Sequence, residues 1–195
     1  MKENIDINKK TSTKKIVQSI LALLGMVIIF VFFYWIPFGY KNNYSIEHYN
    51  EFAKGNVYMP TTTELGKYEE IEVNHYEKRI LVDTYEVYTL NIRYDYETYI
   101  KEKQKISEKY TFENASLKGR NGSKLEPTFI IGSFNFKTLS FAAYDLRYTN
   151  EMVFIGTSDS KKAISYVYYY DVGGLDYLMK PLSKFLTEDC NWNSI

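Results

Sequence analysis

Cysteine and histidine are almost missing from these 195 residues: Cys190, His48 and His75 are all there are. A lone thiol forms no internal disulfide, and one cysteine with two histidines cannot build a Cys/His zinc site. Disulfide-stapled and zinc-ribbon scaffolds are excluded. Glycine (10) and proline (4) are sparse and form no tract, which removes low-complexity and repeat architectures. Neither Gly173-Gly174 nor the Gly119 to Gly122 stretch has the spacing of a phosphate-cradling loop, so both read as turns. Net charge is also missing, with 24 basic residues against 24 acidic ones. The whole chain lacks the basic excess that nucleic-acid binding normally requires, so no nucleic-acid partner is expected.

The neutral total conceals a division at Gly39. Before it stand five lysines against Glu3 and Asp6, a net of +3; after it stand 19 basic against 22 acidic residues, a net of −3. Between the halves, Ile16 to Phe38 is a run of 23 residues without a charge. As a helix at about 1.5 Å per residue it would reach about 35 Å, enough for a hydrocarbon core of about 30 Å. Tyr34, Trp35 and Phe38 give it the aromatic exit typical of a membrane interface, and Pro37 with Gly39 stops it. A cleaved secretory signal would have a shorter apolar core and small residues at its end. The run therefore predicts a transmembrane signal-anchor helix over 16–38. Lysines before the span place the tail 1–15 in the cytoplasm and residues 40–195 outside, by the positive-inside rule.

The part from 40 onward reads as one α+β domain. Ser45 caps a short helix over Ile46 to Lys54, with Gly55 expected in the left-handed conformation at its end. Period-two alternation predicts strands from Ile71 to His75 and from about Leu81 to Arg93. Asp95 caps a helix to about Lys109 whose apolar stripe is Tyr96, Tyr99, Ile100 and Ile106, with Tyr94 and Tyr99 placed for a hydrophobic staple. After a polar loop at 116–127, four strands are expected: Thr128 to Lys137, Phe141 to Tyr148, Met152 to Thr157 and Ala163 to Tyr170. Their connections are too short for parallel crossovers, so they form an antiparallel β-meander. Leu175, Leu178, Met179, Leu182, Phe185 and Leu186 repeat as an amphipathic helix, with helices packed mainly on one sheet face.

Few residues point to chemistry. His48 lies on a polar helix and His75 in an alternating strand, and each has an ordinary structural reading. Ser158-Asp159-Ser160-Lys161 matches S-x-x-K, but it falls in a hairpin turn without the companion motifs of that enzyme class. Glu70 and Glu72 alternate away from His75, which leaves them a solvated strand face rather than a metal site. No catalytic, cofactor or metal residue is assigned. One feature points to recognition: the run Tyr166, Tyr168, Tyr169, Tyr170, with Tyr144 and Tyr148 on a neighbouring strand. If Tyr166 and Tyr168 face the core, Val167 and Tyr169 lie on the opposite side, where exposed tyrosine serves glycan or protein contacts.

The expectation is a single-pass membrane protein with an extracytoplasmic binding or interaction module. Its contacts would be the lipid bilayer, through 16–38, and a surface or membrane protein partner. Two other classes stay open: an anchored hydrolase of envelope material using carboxylates, and an accessory subunit of a membrane complex.

Overall fold

A computed structural model of the chain describes residues 15–30, 38–43, 45–80, 83–118, 124–139 and 151–171. Helix α1, residues 15–30, belongs to one compact unit; the sheet, apart from its end residues Phe38 and Ile80, and the two other helices form the second.

The large apolar side chains of α1, from Ile16 to Phe30, are exposed. At about 1.5 Å per residue, its 16 residues cover about 24 Å, less than a hydrocarbon core of about 30 Å. Among the described residues no helix is long and apolar enough to cross a membrane. Residues 31–37, the aromatic exit of the expected span, lie outside the described residues.

In the second unit, strand β1 (Phe38–Asn43) precedes helix α2 (Ile46–Lys54), which starts where the Ser45 side chain accepts a hydrogen bond from the His48 amide at 3.3 Å. Tyr49 and Ala53, four apart on one helical face, are buried. The helix closes without a left-handed residue. Gly55 has φ −86°, and its amide and that of Asn56 donate back to the Phe52 and Ala53 carbonyls. A single turn of 3-10 helix follows at Thr62–Glu64.

Strand β2 (Glu70–Ile80) is longer than alternation alone suggested, and β3 (Asp83–Arg93) ends at Arg93 as alternation placed it. Helix α3 (Tyr96–Lys109) begins at Asp95, whose carboxylate accepts from the Thr98 amide at 2.9 Å. Its buried positions are Tyr99, Glu102 and Ile106, while Tyr96 and Ile100 are exposed. The expected stripe is thus rotated. Glu102 stays inside because Lys105, one turn on, neutralises it.

The polar loop holds a small hairpin, β4 (Leu117–Lys118) with β5 (Lys124–Leu125). The predicted strand Thr128 to Lys137 is instead two strands, β6 (Thr128–Ile131) and β7 (Phe134–Thr138), with Ile131 opposite Phe134. Gly132, at φ +59°, supplies the tight turn that a side-chain-bearing residue would resist. Strands β8 (Glu151–Ser158) and β9 (Ala163–Asp171) complete an antiparallel meander. The predicted strand 141–148 and helix 175–186 lie outside the described residues.

The strand order is β1-β2-β3-β9-β8-β7-β6, so β3 meets the last strand of the meander across α3 and the small hairpin. Helices α2 and α3 cover one face, where Tyr49, Ala53, Tyr99 and Ile106 pack in one cluster with Tyr88, Leu90, Ile92, Val153, Ile155, Ile164, Tyr166 and Tyr168. On the far face Val87, Met152, Phe154, Phe134, Phe136, Val167 and Tyr169 are buried as well. One exposed sheet face is therefore not what the central strands present.

Candidate binding cleft

The burial of the far face decides the fate of the expected recognition surface. Val167 is 0% and Tyr169 2% exposed, so neither offers a contact to a partner. They do share a face, as alternation required, with Val167 beside Phe154 and Tyr169 beside Met152. The correction concerns what covers that face: alternation reports which residues point together and is silent on whether solvent reaches them. Tyr144 and Tyr148 lie outside the described residues.

The tyrosine strand instead contributes a residue from its other face. Tyr168 lines a cleft of about 460 Å³ with Phe52 and Gly55 of the α2 end, the following Asn56, Val57 and Tyr58, and Glu151 at the start of β8. Each wall has a local cause. Antiparallel register sets Tyr88 beside Tyr168, and Val153, two residues after Glu151, on the other side of Tyr168. Because β-strand side chains alternate, Glu151 and Tyr168 emerge on the same face. Burial, followed by the charge of Glu151, holds the Tyr168 phenol above its ordinary ionisation range.

The opposite wall is a turn tied by hydrogen bonds. The Tyr58 amide donates to Asn56 Oδ1 at 3.0 Å, the Met59 amide to the Asn56 carbonyl at 3.3 Å, and the Tyr110 hydroxyl to the Tyr58 carbonyl at 3.2 Å. Tyr49 of α2 reaches the Pro60 carbonyl at 2.7 Å. These bonds hold the turn against the helix and leave Val57 projecting, 77% exposed.

Behind the cleft runs a stack of rings. His75 and Phe52 both lie nearly parallel to Tyr88, at 4.2 and 3.8 Å between centroids, which requires that they occupy opposite faces of it. Tyr168 meets Phe52 edge-on at 5.1 Å and 65°. Glu86 accepts from the Tyr88 hydroxyl at 2.8 Å and lies 2.8 Å from His75 Nε2. Since a carboxylate only accepts, Nε2 is a protonated nitrogen of that imidazole. His75 is thus a buried member of the stack that backs the cleft.

The other constellations resolve into structure. Ser158 to Lys161 closes the β8–β9 turn, with Asp159 held 2.5 Å from both the Tyr99 hydroxyl and Lys103 Nζ. Glu69 and Glu70 flank Arg93 at 3.5 and 3.0 Å. No group of three or more His, Cys, Asp or Glu suited to a metal occurs among the described residues. Sequence reasoning missed Phe52, Val57, Tyr58 and Glu151. The single local signal was Val57, an apolar residue in a turn with no periodic partner.

Comparison of the chain with protein-family models, with curated proteins and with solved structures returns no match.

Proposed function

We propose that the protein is a membrane-anchored binding module whose recognition surface is the cleft formed by Phe52, Asn56, Val57, Tyr58, Glu151 and Tyr168. The observation that carries this reading is the cleft itself: aromatic and aliphatic walls, one acidic residue, Glu151, in the lining, and a volume in the range of small-ligand sites, roughly 300–1,000 Å³. Such a surface orients a ligand through a few polar groups and gains affinity from apolar contact.

The anchor rests on the uncharged run Ile16 to Phe38, supported by the exposure of the apolar side chains of α1. In this reading 1–15 is cytoplasmic and the α+β domain faces outward. Membranes washed with alkaline carbonate should retain the full chain, and protease added to intact cells should digest the domain while sparing the lysine-rich tail. Release by carbonate would refute the anchor, and protection of the domain would refute the orientation. For the cleft, Val57→Arg should abolish ligand capture by the full chain without loss of fold; unchanged capture would place recognition elsewhere.

A further inference from the structure

We propose that the protein pairs with a second copy of itself through β6, two such strands running antiparallel about Phe129 so that the sheets join edge to edge. None of the cleft walls comes from β6, so the inference stands apart from the reading of the cleft.

Backbone direction comes first. Among the described residues the sheet ends at β6, which pairs there with β7. The Thr138 amide donates to the Pro127 carbonyl at 2.9 Å, one step along the ladder from the register pair Thr128 and Lys137. Bonded and non-bonded pairs alternate along an antiparallel ladder. Phe129 and Ile131 therefore turn their backbone groups onto β7, and Thr128 and Ile130 turn theirs outward. An outward amide and carbonyl from each of these residues make a template for another strand. The usual protections of a sheet edge are missing from it: Thr128 to Ile131 holds no charge, no proline and no bulge in its register, and Ile130 is 74% exposed.

Symmetry then selects the partner. The outward groups are spaced evenly about Phe129, so a second β6 set antiparallel places Thr128 opposite Ile130 of the other copy and Ile130 opposite its Thr128. Every outward amide then meets an outward carbonyl, and none is left over. Pro127, which has no amide hydrogen, and the turn at Gly132 bound the ladder at the same length in both copies. The side chains agree. Phe129 stacks on Phe136 at 5.5 Å and meets Phe154 edge-on at 5.5 Å, yet it is only half-buried. On the two-fold axis it forms a non-bonded pair with its own counterpart, where cross-strand side chains come closest, and the phenylalanine row of the far core continues into the second copy. Charge does not oppose the pairing. Glu126 falls opposite Gly132 of the other copy, which sets the Glu126 positions of the two copies about 20 Å apart at about 3.3 Å per residue.

The test uses the full chain in detergent micelles. Sedimentation equilibrium should show a monomer and dimer in balance with a Kd of about 100 µM, weak because so short an edge buries little surface. Ile130→Pro removes an outward amide and spares the bonds to β7, so it should raise Kd at least about tenfold while the urea midpoint holds. Ile130→Lys, which asks nothing of the backbone, should weaken pairing by about the same factor, because it brings two ammonium groups together near the axis. In a Cys190→Ser chain, Phe129→Cys should cross-link to its counterpart on mild oxidation, since a non-bonded pair brings Cα atoms to about 4.5 Å, whereas Ile131→Cys should not. A monomer at up to about 1 mM overturns the proposal, as does a dimer that both Ile130 variants leave unmoved or that Phe129→Cys fails to link. Hydrogen exchange would then name the other occupant. Slow exchange of the Thr128 and Ile130 amides in a monomer assigns the edge to a segment of the same chain, and fast exchange leaves it to a strand of a different protein; either result overturns self-pairing.

Discussion

On the helix-covered face the register sets Tyr88 beside Tyr168 and Leu90 beside Tyr166, whereas on the far face it sets Phe154 beside Val167 and Phe136 beside Gly156. The first core is built from tyrosines, and two of the hydroxyls around it, those of Tyr49 and Tyr110, reach backbone carbonyls at its border. The far core is built mainly from phenylalanine and aliphatic side chains, with Asn91 and Ser165 bonded to each other at 2.8 Å inside it. A phenol buries a large ring yet keeps one polar atom that must find a partner, so tyrosine belongs where a ring runs from the core to a rim. Phenylalanine has no such requirement and suits a face closed throughout. The cleft lies on the tyrosine side, where Tyr168 and Glu151 share its lining.

Alkali should produce the largest difference between the two faces. Burial, in each case the leading cause, raises the phenols of Tyr49, Tyr94, Tyr99, Tyr166 and Tyr168 above the ordinary value near 10. A raised folded pKa means stability that is fully present below about pH 10 and is lost as pH climbs from there towards the folded values, because the unfolded chain ionises first. All five belong to the helix-covered core. Tyrosinate absorbance followed together with near-ultraviolet circular dichroism should show these tyrosines ionising only as the fold collapses. Gradual ionisation near pH 10 with the fold intact would mean that this core is open to water.

The far face is tested by Phe154→Ala, which removes a ring with 0% exposure and should cost about 3–5 kcal/mol in urea unfolding of the full chain in micelles. A loss of only about 0.5 kcal/mol would be the signature of a surface residue and would restore the one-sided sheet. Gly156→Ala probes the same face from the opposite direction. A β-carbon there would meet the Phe136 ring at 2.5 Å, so the ring must shift, at a cost of about 1–3 kcal/mol. An unchanged midpoint would show that Phe136 does not lie over Gly156. The smallest effect belongs to the helix-covered side: Tyr49→Phe removes the donor to the buried Pro60 carbonyl and should cost about 1 kcal/mol. Because that bond holds the turn carrying Val57, the variant should also broaden the Gly55 to Val57 amide signals. Sharp, unmoved signals would separate the cleft from the bond.

Local elements were legible where a short-range rule decides them. Ser45 and Asp95 accept from the helix amides three residues on, as cap residues do. Period-two patterns located β2, β3, β8 and β9, with errors of a few residues at the ends. The rules failed where a local pattern had more than one solution. Thr128 to Lys137 alternates well enough for one strand, and only pairing of Ile131 with Phe134 shows it folded back at Gly132. Tyr96 and Ile100 suit a helical stripe, but the sheet beneath α3 takes Tyr99, Glu102 and Ile106.

The sequence by itself determined that the chain has an uncharged 23-residue run between a basic tail and an acidic remainder, no disulfide within these residues, and an antiparallel strand block with tyrosine on alternate faces. These follow from composition and short-range periodicity, which no distant residue can alter. Only the tertiary structure decided that both faces of the central strands are buried and that Tyr168, not Tyr169, reaches a cleft with Phe52, Val57 and Glu151. Solvent access is a property of what packs over a face, and about a hundred residues separate Phe52 from Glu151 along the chain. No local pattern encodes their meeting; sheet register and the docking of α2 produce it.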